Sequence, residues 1–104
     1  MNAKDIDGLL DMVNRTVAQV QNGKSVLIPT TFQILWERAT AIWISCRESH
    51  PNTASRAFAI RRYVEQRRRD GASALAHTAE LLQQLASAYV TDEYNLKHRQ
   101  KRLF

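Results

Sequence analysis

The sequence predicts an all-α fold, a helical bundle of about four helices around a central apolar helix. Apolar residues recur at steps of three and four along most of the chain, which is the spacing of one helix face. Only three glycines and two prolines occur among 104 residues, and an all-β fold would need more turns than these allow. We expect a single helical domain over residues 1–104, with a basic C-terminal tail at residues 97–104.

The first helix is predicted at residues 5–21, where apolar residues form a narrow stripe that packs on one neighbour. Asn22-Gly23 supplies its stop, because glycine tolerates the left-handed conformation that ends many helices. The segment that follows, residues 24–29, is apolar and ends in proline. It predicts either an ordered linker or a short strand, and a strand would pair across a dimer axis.

The central helix is predicted at residues 30–49, the most apolar segment of the chain. Thr30 and Gln33 have the spacing of a capping box, which starts a helix. One face of this helix carries Phe32, Leu35, Trp36, Ala39, Ile42, Trp43 and Cys46. Further apolar residues lie off that face: Ile34, Ala41 and Ile44. Because the helix is apolar around much of its circumference, we expect it to have packing partners on more than one side.

Two more helices are predicted in the second half of the sequence. The third spans about residues 54–69, with Asn52 or Thr53 as its cap, and an Asp-Gly pair ends it. The fourth follows with Ser73 as its cap. Thr91 precedes two acidic residues, and this pattern predicts a kink or a restart of the fourth helix.

The positive charge is concentrated in the second half of the sequence. Residues 55–104 carry ten basic and five acidic residues, whereas residues 1–54 carry five of each. The polar face of the third helix holds six arginines: Arg56, Arg61, Arg62, Arg67, Arg68 and Arg69. Three interpretations stay open, namely a solvated face, an arginine-rich protein interface, and a surface that binds nucleic-acid phosphates.

Trp36 and Trp43 are seven residues apart, so they lie on the same side of the central helix. In one interpretation they are core residues packed beside Phe32 and Ile42. In the other, part of this apolar surface is a dimer seam or a partner-binding groove, because alanine-rich neighbours leave such a helix incompletely covered.

The sequence carries no catalytic, cofactor or metal motif. Cys46 and His50 stand four residues apart, but zinc needs three or four ligands and no second Cys/His pair accompanies them. As a nucleophile pair, the same two residues lack an activating group and an oxyanion site. The isolated glycines exclude a phosphate-cradling loop. We therefore expect a protein that is not an enzyme and that binds neither cofactor nor metal.

The N-terminal residues and the hydropathy of the chain predict a cytoplasmic protein with no membrane partner. Residues 1–8 are polar and acidic, without the apolar core of a signal peptide. No run of about 18 apolar residues occurs, so no membrane span is expected. A single cysteine cannot form an internal disulfide.

In overall plan the chain resembles the small antiactivators of quorum-sensing regulators. The shared features are the small size, one long apolar helix and short connections. Those proteins are cytoplasmic, helical and often dimeric, and they bind a LuxR-type transcription factor and keep it off DNA. The resemblance implies occlusion, in which the apolar helix covers the dimer interface of the regulator and the basic face docks on acidic residues.

These features favour a regulatory, homodimeric protein-interaction module that binds and occludes a protein partner, which the resemblance suggests is a transcription regulator. The residues expected to contact the partner are Trp36, Trp43, Arg61, Arg62, Arg67, Arg68 and Arg69. The alternative is a small basic helical nucleic-acid-binding protein that uses the Arg56–Arg69 helix and the basic C-terminal tail. Single-strand binders place several aromatic residues among the basic ones, and here only Tyr63 lies there. A helix-turn-helix is rejected, because Arg67 and His77 stand where that motif needs a small and an apolar residue.

Overall fold

The chain folds into four α-helices and one 3₁₀ turn in the computed structural model, which describes residues 3–24 and 27–102 and gives residues 99–102 by their backbone alone. The helices are α1 (Ala3–Gln21), α2 (Ile28–Cys46), α3 (Pro51–Arg67) and α4 (Ala72–Arg102), with the 3₁₀ turn at Arg68–Asp70. The described ranges contain no β-strand. The prediction of an all-α bundle of about four helices is confirmed.

Helix α1 presents one apolar stripe to α4 and ends as the sequence predicts. Ile6, Leu9 and Val13 are buried in this stripe. After Gln21 the chain turns at Gly23, whose φ of 74° lies in the left-handed region that glycine adopts without strain. The backbone N–H of Lys24 then donates to the Gln19 carbonyl at 2.9 Å, which satisfies one of the last carbonyls of the helix.

Helix α2 begins at Ile28, two residues before the predicted start. Proline is favoured in the first turn of a helix because its missing N–H has no partner there, and Pro29 occupies this turn. Thr30 therefore lies inside the helix and the predicted capping box does not form. The Gln33 side chain instead donates to Glu37 at 3.0 Å. The proposed strand over residues 24–29 is contradicted where it overlaps the helix, and residues 25–26 lie outside the described ranges.

Helix α3 runs antiparallel to both α2 and α4, as the contacts between their side chains show. Helix α3 packs on α2 and on α4, α1 packs on α4, and the contact between α1 and α2 is short. Helix α2 thus packs mainly on α3, with only short contacts to α1 and α4. The buried apolar residues form one core cluster: Ile6, Leu9, Val13, Phe32, Leu35, Ala39, Ile42, Cys46, Ala54, Ala57, Ile60, Val64, Ala74, Leu75, Leu82 and Leu85.

Helix α3 begins at Pro51 and its cap comes from another helix. Asp92 of α4 accepts hydrogen bonds from the Thr53 backbone N–H at 2.6 Å and from the Thr53 hydroxyl at 2.7 Å. It also accepts from the Asn52 backbone N–H at 3.4 Å and from the Asn52 side chain at 2.9 Å. Asn52 and Thr53, the predicted capping residues, therefore do not accept the first N–H groups of the helix. They donate to Asp92, which lies 39 or 40 residues later in the sequence and caps α3.

Helix α4 is continuous over 31 residues, so the predicted kink or restart at Thr91 is absent. Its length is roughly 46 Å, whereas α1 and α2, with 19 residues each, are roughly 28 Å long. The sequence Thr91-Asp92 looked like a new helix start because Asp92 is a cap residue, but the helix that it caps is α3.

Candidate functional site

Trp36 and Trp43 lie on the side of α2 that faces α3, and Arg61 of α3 lies across both indole rings. Arg61 Cζ is 4.9 Å from the centroid of the Trp36 ring and 5.5 Å from that of Trp43. Both distances are in the range of cation–π interactions. The Arg61 side chain is only 26% exposed, so it belongs to the α2–α3 interface more than to the solvent-facing surface.

Phe58 and Glu65 complete this group, which we call the tryptophan cluster (Trp36, Trp43, Phe58, Arg61 and Glu65). The Trp36 indole N–H donates to Glu65 Oε1 at 2.7 Å, and Arg61 Nε lies 3.4 Å from the same oxygen. The rings of Trp43 and Phe58 are tilted, with centroids 5.0 Å apart. The Trp36 N–H is thus hydrogen-bonded to Glu65, whereas Arg61 Nε is paired with the same carboxylate by charge without a hydrogen bond. These side chains pack between α2 and α3.

The other arginines of α3 and of the 3₁₀ turn after it are not part of the tryptophan cluster. Arg56 donates to Gln84 of α4 at 3.1 Å, and Arg67 forms an ion pair with Asp70 at 3.8 Å. Arg62, Arg68 and Arg69 are exposed. The structure therefore brings together three of the seven predicted partner-binding residues, Trp36, Trp43 and Arg61. It places the other four elsewhere: Arg62, Arg67, Arg68 and Arg69.

The arginines at the C-terminus of α3 and the start of the predicted basic tail lie near opposite ends of α3. Arg67 ends α3 and Arg68 and Arg69 follow it, whereas Lys97 follows the part of α4 that caps the N-terminus of α3. The length of α3 alone separates these two ends by roughly 25 Å. The arginines therefore do not form one continuous surface with Lys97, and the side chains of the tail from residue 99 onward lie outside the described residues.

A groove runs between α1 and α2, where the two helices touch over a short stretch only. Its volume is about 560 Å³, and it is lined by Gly8, Leu9 and Met12 of α1 and by Ile34, Arg38 and Ala41 of α2. We call it the α1–α2 groove. The lining positions recur at one-turn spacing on each helix, so they form two facing stripes.

The apolar surface of α2 is not fully covered by the rest of the chain. Ile34 is 36% exposed at the edge of the α1–α2 groove, and Ile44, outside the groove, is 54% exposed. Leu9 and Ile42 are buried and form the floor of the groove. The residues that line this groove were not among those predicted to contact a partner. Its sequence signature is the position of Ile34, Ala41 and Ile44 off the core face of α2.

A second groove, between α3 and α4, has a polar lining. Its volume is about 670 Å³, and its lining includes Asn52, Arg56, Gln83, Gln84, Ser87 and Thr91. Amide and hydroxyl groups dominate these walls. Of these two grooves, only the α1–α2 groove therefore has the apolar floor on which an apolar side chain of a partner would be buried.

His50 links the start of α3 to α4. Its ring stacks on Tyr89 with centroids 5.3 Å apart, its Nδ1 lies 2.6 Å from Ser49 Oγ, and its Nε2 lies 3.0 Å from Glu93 Oε1. Tyr89 also forms a hydrogen bond with Glu93, and this bond, together with burial, raises the pKa of Tyr89 to about 12. The hydrogen bonds from Tyr89 and His50 lower the pKa of Glu93. These contacts hold the two helices together near the Asp92 cap.

Cys46 and His50 do not form the metal or nucleophile pair considered from the sequence. The His50 ring is directed to Glu93, and the backbone N–H of His50 donates to the Cys46 carbonyl at 2.7 Å. Cys46 is 2% exposed, and burial raises the pKa of its thiol. A protonated, buried thiol is a poor nucleophile. Within the described ranges no three His, Cys, Asp or Glu side chains are grouped as a metal site requires.

No family model matches the chain, and no curated protein or solved structure shows significant similarity to it. None of the helices within residues 3–24 and 27–102 has an apolar stretch long enough to cross a membrane. The function is therefore inferred from the geometry of the described residues.

Proposed function

We propose that this chain is a non-catalytic protein-interaction module that binds a protein partner in the α1–α2 groove. The observation that carries the proposal is the incomplete covering of α2, which leaves Ile34 exposed above a floor of Leu9 and Ile42. Burial of exposed apolar surface is the main favourable contribution to most protein association. A partner that covers the groove would complete the packing that α1 leaves open.

The α1–α2 groove has the size of an anchor site within a larger interface. A specific interface buries about 800 Å² on each partner, and a few well-packed side chains supply most of its binding free energy. We propose that side chains of the partner fill the groove, while the neighbouring exposed residues of α1 and α2 form the surrounding contact.

The tryptophan cluster has a supporting role in this proposal, since it fixes α2 against α3. The exposed Arg62, Arg68 and Arg69 are available to dock on acidic residues of the partner. A change of Arg61 would disturb the packing of Trp36 as well as the charge. The double substitution Arg62→Glu and Arg69→Glu changes the charge without disturbing the packing, because both side chains are exposed. It should slow association with the partner without unfolding the protein.

The proposed biological role is regulation by occlusion in the cytoplasm. The chain would cover a surface that its partner needs for another contact, and the favoured partner is a transcription regulator. The support for this partner class is the similarity of overall plan to the antiactivators of quorum-sensing regulators. Homodimer formation is proposed through the outward side of α2, where Ile44 is exposed. Sedimentation equilibrium of wild type and Ile44→Glu tests it, because the substitution should yield a monomer.

Photo-cross-linking from inside the α1–α2 groove tests the proposed function in cells. A photoreactive amino acid replaces Ala41, which lines the groove, and in the control it replaces Ala59, which is exposed on α3. We expect a specific protein to be cross-linked from position 41 and not from position 59, and Ile34→Glu to abolish the product. The proposal is refuted if position 41 yields no product, or if the two positions yield the same products.

Nucleic-acid binding is less well supported, because Arg61 is engaged by the tryptophan cluster and Arg67 forms an ion pair with Asp70. Fluorescence anisotropy with DNA and RNA duplexes at about 50 and 200 mM salt tests it directly. We expect no tight binding at either salt concentration. Tight binding that collapses at the higher one would favour the alternative function.

A further inference from the structure

We propose that the occupant of the α1–α2 groove is an amphipathic helix of the partner, which places a carboxylate against Arg38. This inference rests on the proposed function and deepens it, because it specifies the secondary structure and the charge of the bound segment. Three features of the groove support it: its length, the small residues in its walls and its charge.

The α1–α2 groove has the length of about three helical turns. On α2 its lining runs from Ile34 to Ser45, and this stretch of α-helix is roughly 16 Å long. A helix that lies along the groove would insert side chains at positions i, i+3 or i+4, and i+7, as in other helix-in-groove complexes. Two facing stripes on neighbouring helices form the surface on which a third helix packs.

Gly8 of α1 and Ala41 of α2 are the smallest residues that line the groove. A Cβ atom added to Gly8 would meet no atom within 4 Å. Packing within the described chain therefore does not require glycine at this position, and the space above it is open. Glycine lets another backbone approach closely, so a partner helix would lie deepest beside Gly8.

Three charged residues line the groove, namely Lys4 and Asp5 of α1 and Arg38 of α2. Lys4 and Asp5 have interaction partners, whereas Arg38 has no ion pair or hydrogen bond with any residue that the structure describes. Arg38 is therefore the charge that remains for the partner to match. The neighbouring Glu37 accepts a hydrogen bond from Gln33. Because a guanidinium binds a carboxylate through two parallel hydrogen bonds, an acidic residue beside the apolar face of the partner helix is the complement of Arg38.

The open shape of the groove favours a helix over a small amphiphilic acid. Small-molecule pockets bury most of the surface of their ligand. In the α1–α2 groove the space above Gly8 is open and Ile34 is exposed, so a small molecule would remain largely in contact with water. A helix about 10–12 Å across would cover both walls at once.

A display library of helical peptides with randomised surface positions tests the inference on the full chain. Peptides are selected on wild type, and those that also bind the Ile34→Glu variant are discarded, so that only groove-dependent peptides are kept. We expect these to share apolar residues at i, i+3 or i+4, and i+7, with an aspartate or glutamate beside them. On the Arg38→Glu variant the same position should select lysine or arginine.

Matched changes in one selected peptide and in the protein then measure the contact. Exchange of the acidic residue for glutamine, or Arg38→Gln, should each weaken binding about tenfold, and the two together should weaken it no further. Gly8→Leu fills the groove and should abolish binding. Ala59→Leu adds the same side chain to the exposed surface of α3 and should leave binding unchanged.

The inference is overturned if no groove-dependent peptide is recovered, or if the recovered peptides show no acidic preference. It is also overturned if Ile34→Glu abolishes self-association of the chain, or if laurate binds saturably to the groove residues, since a second copy or a small amphiphile would then be the occupant. The cross-linking experiment separates the two proposals. A segment cross-linked from position 41 that is not helical, or has no acidic residue, refutes this inference alone.

Discussion

The Asp92 cap gives a sharp prediction about stability. Asp92→Ala removes the acceptor of four hydrogen bonds, and the residue is 2% exposed. Asn52 is exposed, so water can replace Asp92 at its two donors, whereas Thr53 is fully buried. An unsatisfied buried donor costs about 1–3 kcal/mol. With two such donors on Thr53, we expect Asp92→Ala to lower the free energy of unfolding by roughly 3 kcal/mol.

Urea denaturation, followed by helical circular dichroism, measures this loss. For a slope of about 2 kcal/mol/M, a loss of 3 kcal/mol lowers the midpoint by roughly 1.5 M. Asp92→Asn keeps one acceptor oxygen and should lose roughly half as much. Asp11→Ala is the matched control, because it removes an exposed carboxylate that pairs with Arg15 and should cost less than about 0.5 kcal/mol. A loss at Asp92→Ala no larger than that of the control would show that the reasoning is wrong.

Three further predictions concern pH, reactivity and helix propensity. Burial would raise the pKa of Asp92, but the hydrogen bonds from Thr53 and Asn52 outweigh it and hold this pKa below its usual value of 3.8. The ionised form therefore stabilises the fold above the pKa of the unfolded state, and this contribution is lost as pH falls through the lower folded pKa. Denaturation midpoints should fall more steeply in acid for wild type than for Asp92→Asn, and parallel curves would contradict this. Cys46 is buried with a raised pKa, so a thiol reagent at pH 7 should modify it only as fast as the protein opens. Modification at the rate of an unfolded peptide would contradict its burial. Gly8→Ala should stabilise the fold by about 0.5–1 kcal/mol, since it removes an interior helix glycine without a clash. A lower melting temperature would show that the added Cβ does meet neighbouring atoms.

The helices could be predicted because their signals are local. The stripe of Ile6, Leu9 and Val13 and the stop at Gly23 specify α1 within a short window of sequence. The start of α2 was misplaced by two residues, because Thr30 fits a capping box and Pro29 fits the first turn of a helix equally well. In the structure the helix starts in the second of these two ways, with Pro29 in its first turn.

The candidate site was predictable only in part, because its contacts lie between helices. The off-face positions of Ile34 and Ala41 indicated that α2 has more apolar surface than one neighbour covers. The sequence did not show that α1 diverges from α2 there. Arg61 was grouped with the exposed arginines because the periodicity of a sequence shows only on which side of its own helix a residue lies. Its contact with Trp36 and Trp43 depends on how α2 and α3 pack.

The Asp92 cap, which joins α4 to α3, also affects how the protein folds while it is being synthesised. Asp92 follows Thr53 by 39 residues, and Glu93 follows His50 by 43. While the protein is being synthesised, α3 leaves the ribosome before the residue that satisfies its first N–H groups has been translated. Contacts of such sequence separation form only after a large loop has closed. We therefore expect the first three helices to remain loosely associated on the ribosome, and the bundle to become rigid when the second half of α4 docks.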